Sequence, residues 1–132
     1  MKEHAFRLTC NADLKESILK YCEVNEVKAA IVLCGIGSVK EVCIRKAKAE
    51  TIFRDQNEYE IIALQGTIAN GKAHLHIALT DDKMRTIGGH LMVDTIINTT
   101  AEIVLMELQE YEFEREIDDK TGYTELITKR IN

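Results

Sequence analysis

Tyr59-Glu60-Ile61-Ile62-Ala63-Leu64-Gln65-Gly66-Thr67-Ile68-Ala69-Asn70-Gly71-Lys72-Ala73-His74-Leu75-His76-Ile77-Ala78-Leu79 places two β-type runs on either side of an Asn-Gly pair. Asn-Gly supplies the left-handed residues that a tight hairpin turn needs, so residues 59–68 and 73–79 are expected to pair antiparallel. Along a strand the side chains alternate faces. Leu75, Ile77 and Leu79 therefore share one face, and His74 and His76 project together from the other.

Upstream, residues 2–9 read as a first strand. Asp13-Leu14-Lys15-Glu16 is a capping-box pattern, an acidic N-cap with Glu three residues on. Leu14, Ile18, Tyr21, Cys22 and Asn25 then fall on one face of a helix running to about Asn25. Residues 29–34 form an apolar run that reads as a buried strand, ended by a turn at Gly35-Ile36-Gly37-Ser38. Residues 39–47 alternate as the next strand, with Val42 and Ile44 on one face, and Asp55-Gln56-Asn57 marks a turn. Downstream come a polar turn at 80–85, a strand at 86–92 and a long β-branched strand at 95–108. The charge-rich segment 110–119 reads as a solvated edge.

One main helix and about seven strands with short connections make the class α+β: a mainly antiparallel, strongly curved sheet with the helix packed on it. No repeat, linker or low-complexity stretch divides the chain, so residues 1–132 are expected to form a single domain.

The chain has 132 residues and a formal net charge of −5. That balance counts against the simplest nucleic-acid binder, because Lys and Arg neutralising phosphates supply most of such affinity. The N-terminus has no apolar signal-like region and no stretch is long enough to span a bilayer, so a cytoplasmic location with no membrane partner is expected. Cys10, Cys22, Cys34 and Cys43 form no CxxC pair and are expected to be buried free thiols. Proline and tryptophan are absent, and Met84, Met92 and Met106 read as apolar filler.

The chemistry concentrates on histidine. His90 follows Gly88-Gly89, whose missing Cβ atoms allow close approach, and only a short turn separates its strand from that of His74 and His76. Three imidazoles then converge, while His4 in the first strand has no such partner. Neutral imidazoles suit a divalent ion such as zinc, and three protein ligands leave a fourth position for water or a ligand. Spacing alone leaves open both this metal site and the plainer alternative, polar residues on the wet face of a strand. Glu102, a carboxylate inside an apolar β-run, is a candidate partner to a metal-bound histidine or a general base, or else it simply faces solvent. Arg45 and Arg54 are cations able to meet an anion on charge alone. Gly35-Ile36-Gly37-Ser38 lacks the context of a phosphate-binding loop.

The order Gly35-Ile36-Gly37-Ser38-Val39, Tyr59-Glu60-Ile61-Ile62, His74-Leu75-His76, Gly88-Gly89-His90-Leu91, Thr99-Thr100-Ala101-Glu102 and Thr121-Gly122-Tyr123-Thr124-Glu125-Leu126 resembles the PPC domain, the plants-and-prokaryotes-conserved domain. The resemblance covers nearly the whole chain and is most specific at His-Leu-His and Gly-Gly-His-Leu. It implies a compact α+β fold assembled as a homotrimer, with a metal held by His74, His76 and His90. It also implies a fold similar to acetolactate decarboxylase, a zinc enzyme with three histidine ligands. In plants the domain is joined to AT-hooks in DNA-binding nuclear proteins. This chain departs from that type: it lacks the Arg-Gly-Arg-Pro hook, and Glu58 stands where the plant pattern is basic. Cys10-Asn11 replaces the Pro-Gly usual before the helix.

The functional expectation is a stand-alone PPC-domain protein that binds a zinc-like ion and offers its open position to a small anionic or carbonyl ligand. The alternatives are a DNA-binding or regulatory interaction protein and a metal-dependent hydrolase or decarboxylase. Whether any reaction is catalysed stays open.

Overall fold

The structure, a computed structural model, describes residues 1–131. In chain order the elements are β1 (Lys2–Thr9), α1 (Leu14–Val24), β2 (Ala29–Arg45), β3 (Ile52–Asp55), β4 (Tyr59–Ala69), β5 (Lys72–Thr80), β6 (Thr86–Leu91), β7 (Ile96–Glu107), β8 (Tyr111–Ile117) and β9 (Thr124–Arg130). β1 to β7 form one seven-stranded sheet in the order β1-β7-β2-β4-β5-β6, with β3 added to β2. Every strand pairing is antiparallel. The sheet curls far enough for β6 to meet β2 again, Ile44 opposite Leu91 and Arg45 opposite His90. This is the expected class, a curved antiparallel sheet with one helix.

The helix forms where its cap and apolar stripe predict. Asp13 has an extended backbone (φ −79°, ψ 124°), and its side chain accepts a hydrogen bond from the Glu16 amide. That satisfies one of the orphan donors of the first turn. Leu14, Ile18 and Cys22 are its buried residues and join the core beneath the sheet. Burying each aliphatic side chain there contributes about 1.5–3 kcal/mol. The opposite wall includes Leu75, Ile77 and Leu79 of β5 with Leu64, Ile68, Ile103 and Leu105.

Three local expectations are corrected. Gly35–Ser38 is no turn: β2 runs unbroken for 17 residues. It stays extended because both edges are paired, Gly37 opposite Ala101 on β7 and Ile61 on β4. Gly37 has φ +147°, and a Cβ on it would lie 2.0 Å from the Thr100 carbonyl oxygen. Glycine at this position thus serves strand packing, with register shifts nearby that bend β2 as bulges do. The short strand β3 is additional to those expected.

The segment 110–119 is mostly exposed, as expected, but it is more than a solvated edge. It supplies β8, which pairs with β9 as a separate two-stranded sheet. Phe113 anchors this hairpin in a second apolar cluster with Ala29 and Ala69, at the joined ends of β2 and β4. Of the cysteines, Cys22 and Cys43 are buried, Cys34 is half-buried and Cys10 is exposed, so the expectation of burial holds for only part of the set. No helix among the described residues is long and apolar enough to cross a membrane.

Candidate metal centre on the β5–β6 face

β5 carries His74 and His76 outward while Leu75 between them is fully buried. The alternation expected from the sequence is thus the one found. In the β5–β6 register His76 lies directly opposite His90. β6 reaches that position squeezed between two strands. A Cβ on Gly88 would lie 2.6 Å from the Ile77 carbonyl oxygen, and one on Gly89 would lie 2.7 Å from that of Arg45. The two glycines therefore serve the close approach of backbone that brings His90 into place.

The three rings face one another, with centroids 5.0 Å apart for His74–His76, 5.3 Å for His74–His90 and 5.7 Å for His76–His90. One ligand nitrogen from each can be chosen so that all lie within 4.8 Å of one another. Pairs of nitrogens on a tetrahedral zinc ion stand about 3.4 Å apart, given Zn–N bonds of ~2.0–2.1 Å. Ordinary side-chain rotation closes that gap, and an all-imidazole donor set fits a borderline ion.

Burial first, then the Arg115 and His76 charges, hold the His74 pKa below its usual value. His90 is pushed down to about 4, by burial first and then by the Arg45 guanidinium. Arg45 Nη2 stands 3.5 Å from His90 Nδ1, the outer limit of a hydrogen bond. Both imidazoles are consequently neutral near pH 7, the form that binds a metal.

A cavity of about 560 Å³ opens beside the cluster, with His74 and His90 in its wall. Four cations line it, Arg45, Lys48, Lys72 and Arg115, against one carboxylate, Glu125. The site is therefore basic in a chain whose net charge is −5.

Of the other residues singled out from sequence, Arg45 belongs to this cavity. Arg54 instead pairs with Asp94 at 3.3 Å. Glu102 lies exposed on β7, opposite Arg7 and Ile36, and is not in the histidine group. His4 is likewise elsewhere, on β1. Arg115 was missed because its segment, 110–119, read as a solvated edge, and Glu125 was quoted only for the family resemblance, with no role at the site. The alternation Tyr111, Phe113, Arg115 could have revealed that Arg115 shares the inward face of a strand.

A curved antiparallel sheet that presents three converging histidines beside a basic cavity defines a class of small α+β domain. The chain belongs to the Plants and Prokaryotes Conserved (PCC) domain family, whose sequence model matches residues 1–109. It is 35% identical over 131 residues to the bifunctional protein GlmU of Synechococcus sp. strain JA-3-3Ab, covering 99% of this chain and 21% of that protein. The chain thus spans about a fifth of the length of the curated relatives it matches.

Among solved structures it is similar to a hypothetical protein of Salmonella (29% identity, 98% of this chain and 94% of that one, TM-score 0.94). Two structures at lower identity share the fold. One is described as a metal-containing protein of Archaeoglobus fulgidus (24% identity, 96% and 94% covered, TM-score 0.83). The other is described as a candidate DNA-binding protein of Bacteroides thetaiotaomicron (19% identity, 95% and 91% covered, TM-score 0.85).

Proposed function

We propose that this chain is a metal-binding PCC-domain protein in which His74, His76 and His90 hold one divalent, zinc-like ion with a position open to a small anionic or carbonyl ligand. The observation that carries the reading is the convergence of three imidazoles with ligand atoms within 4.8 Å of one another. The basic cavity beside them supports an anionic ligand, and the metal-containing relative of similar fold is consistent with the donor set. A bound ion would act as a Lewis acid toward whatever fills its fourth position.

Self-association, a homotrimer in this reading, is supported by Leu33, Ile36 and Ile62, large apolar side chains left about half exposed on β2 and β4. Light scattering on the eluting protein measures the mass directly.

Purified protein analysed for metal is expected to carry about one zinc-class ion per chain, as a single three-histidine site requires. His76→Ala should lower metal affinity more than about 100-fold, beyond the 10–100-fold that loss of an outer partner produces. Wild-type protein that stays metal-free after chelator-free purification and zinc dialysis would overturn the assignment.

An enzymatic reading, hydrolysis or decarboxylation, needs an acid/base group at the site. Glu125 in the cavity wall has the better position for that than Glu102. The DNA-binding reading runs against a net charge of −5. A salt-dependent mobility shift on duplex DNA would revive it.

A further inference from the structure

We propose that Arg115, brought in by the C-terminal β8–β9 hairpin, is the residue that recognises a small oxyanion at the histidine site, a carboxylate or phosphate group. The inference deepens the metal reading and rests on it for the ligand's other anchor.

The hairpin lies beyond residues 1–109, the part matched by the family's sequence model. It is nevertheless fixed to the body of the fold. Phe113 is buried against Ala29 and Ala69, and Asn70 Nδ2 donates to Glu114 Oε1 at 3.1 Å. Two residues along the same face from Phe113, Arg115 is half-buried, and its Nη2 donates to Thr67 Oγ1 at 3.2 Å. Thr67 lies directly opposite His74 in the β4–β5 register. The guanidinium is therefore held beside the histidine face, and it lines the same cavity as His74, His90 and Arg45.

Its bonding is incomplete for such a position. A guanidinium offers five N–H donors, and Thr67 accepts from it at one. Among the described residues no carboxylate lies within 4.0 Å of Arg115 or of Arg45. Four cations against a single carboxylate leave the cavity with an excess of positive charge, which an entering anion offsets. The planar fork of Arg matches a carboxylate or phosphate in paired hydrogen bonds, which Lys cannot reproduce. An oxyanion spanning Arg115 and the open metal position satisfies both.

The test is calorimetric titration of the zinc-loaded 132-residue chain with malonate and, separately, with inorganic phosphate. Wild type is expected to bind at least one of them at millimolar concentration or below. Arg115→Gln should weaken that binding at least ~10-fold, while zinc content and melting temperature stay as in wild type. Arg115→Lys should recover only part of the loss. Binding of malonate alone assigns a carboxylate ligand, and binding of phosphate alone assigns a phosphate.

The inference is overturned if wild type binds neither anion, or if Arg115→Gln binds as tightly as wild type. The metal reading fails separately. Protein that takes up no zinc yet loses anion binding on Arg115→Gln refutes the ion and keeps the arginine. Protein that holds zinc and ignores both anions does the reverse.

Discussion

His4 and the β5–β6 histidines are the same residue type in opposite settings. His4 is only 7% exposed, and both its ring nitrogens are engaged within the chain: Nδ1 lies 2.8 Å from the Tyr21 hydroxyl and Nε2 lies 2.8 Å from Glu107 Oε1. Tyr21 in turn stacks on Phe6 at 3.9 Å. The group ties β1, α1 and β7 together, and no lone pair is left for a ligand. His74 and His76 are exposed, face each other and His90, and their rings make no side-chain hydrogen bond within the chain among the described residues. A buried polar ring must be satisfied by the fold itself. Rings at the surface that the fold leaves without a side-chain partner, as it leaves His74 and His76, are free to be completed by water or a ligand. Bonding state, more than residue identity, separates the structural histidine from the candidate ligands.

The sharpest test of that contrast lies between the histidines. Leu75 is 0% exposed, on the inner face of the strand whose outer face carries His74 and His76. Leu75→Ala removes core volume and should cost about 3–4 kcal/mol in chemical denaturation. Its denaturation midpoint should fall while the folded protein still binds zinc. If stability barely changed, the division of β5 into a packing face and a chemical face would be wrong.

His4→Ala should have the next largest effect, about 2–3 kcal/mol, since it leaves the Glu107 carboxylate without its partner. Thermal unfolding should shift down by roughly 5–10 °C, with zinc content unchanged. Loss of metal in this variant would break the separation between the two settings.

The smallest effect concerns the helix beside His4. Burial first, and Glu107 second, push the Cys22 thiol up to about 11. A raised thiol pKa keeps the thiolate scarce below that pH. Iodoacetamide at pH 8 should therefore modify exposed Cys10 and leave Cys22 intact, as peptide mass spectrometry would read. Equal labelling of both would show that α1 opens readily from the sheet.

Much of the fold is legible locally. Asn70-Gly71 and the alternation around it identify the β4–β5 hairpin, and Asp13 with Leu14, Ile18 and Cys22 identifies α1. These features depend on neighbours a few residues apart. Gly35–Ser38 misleads because glycine signals a turn in isolation, whereas here β4 and β7 on both edges keep it extended. The 110–119 segment misleads for the same reason. Its acidic residues Glu110, Glu112, Glu114 and Glu116 alternate with the others, and Phe113 becomes an inward anchor only once Ala29 and Ala69 are placed beside it.

The sequence by itself determined that His74 and His76 share a face, because a strand has a period of two. It also determined that glycines precede His90, and that an acidic chain offers phosphate backbones little general attraction. Tertiary structure alone decided that His76 stands opposite His90, that Glu102 stays out of the histidine group, and that Arg45 and Arg115 meet the histidines in one basic cavity. Those relations depend on strand register and on the curl that returns β6 to β2. Such long-range pairings are set by the packing of the whole sheet, which no local spacing encodes.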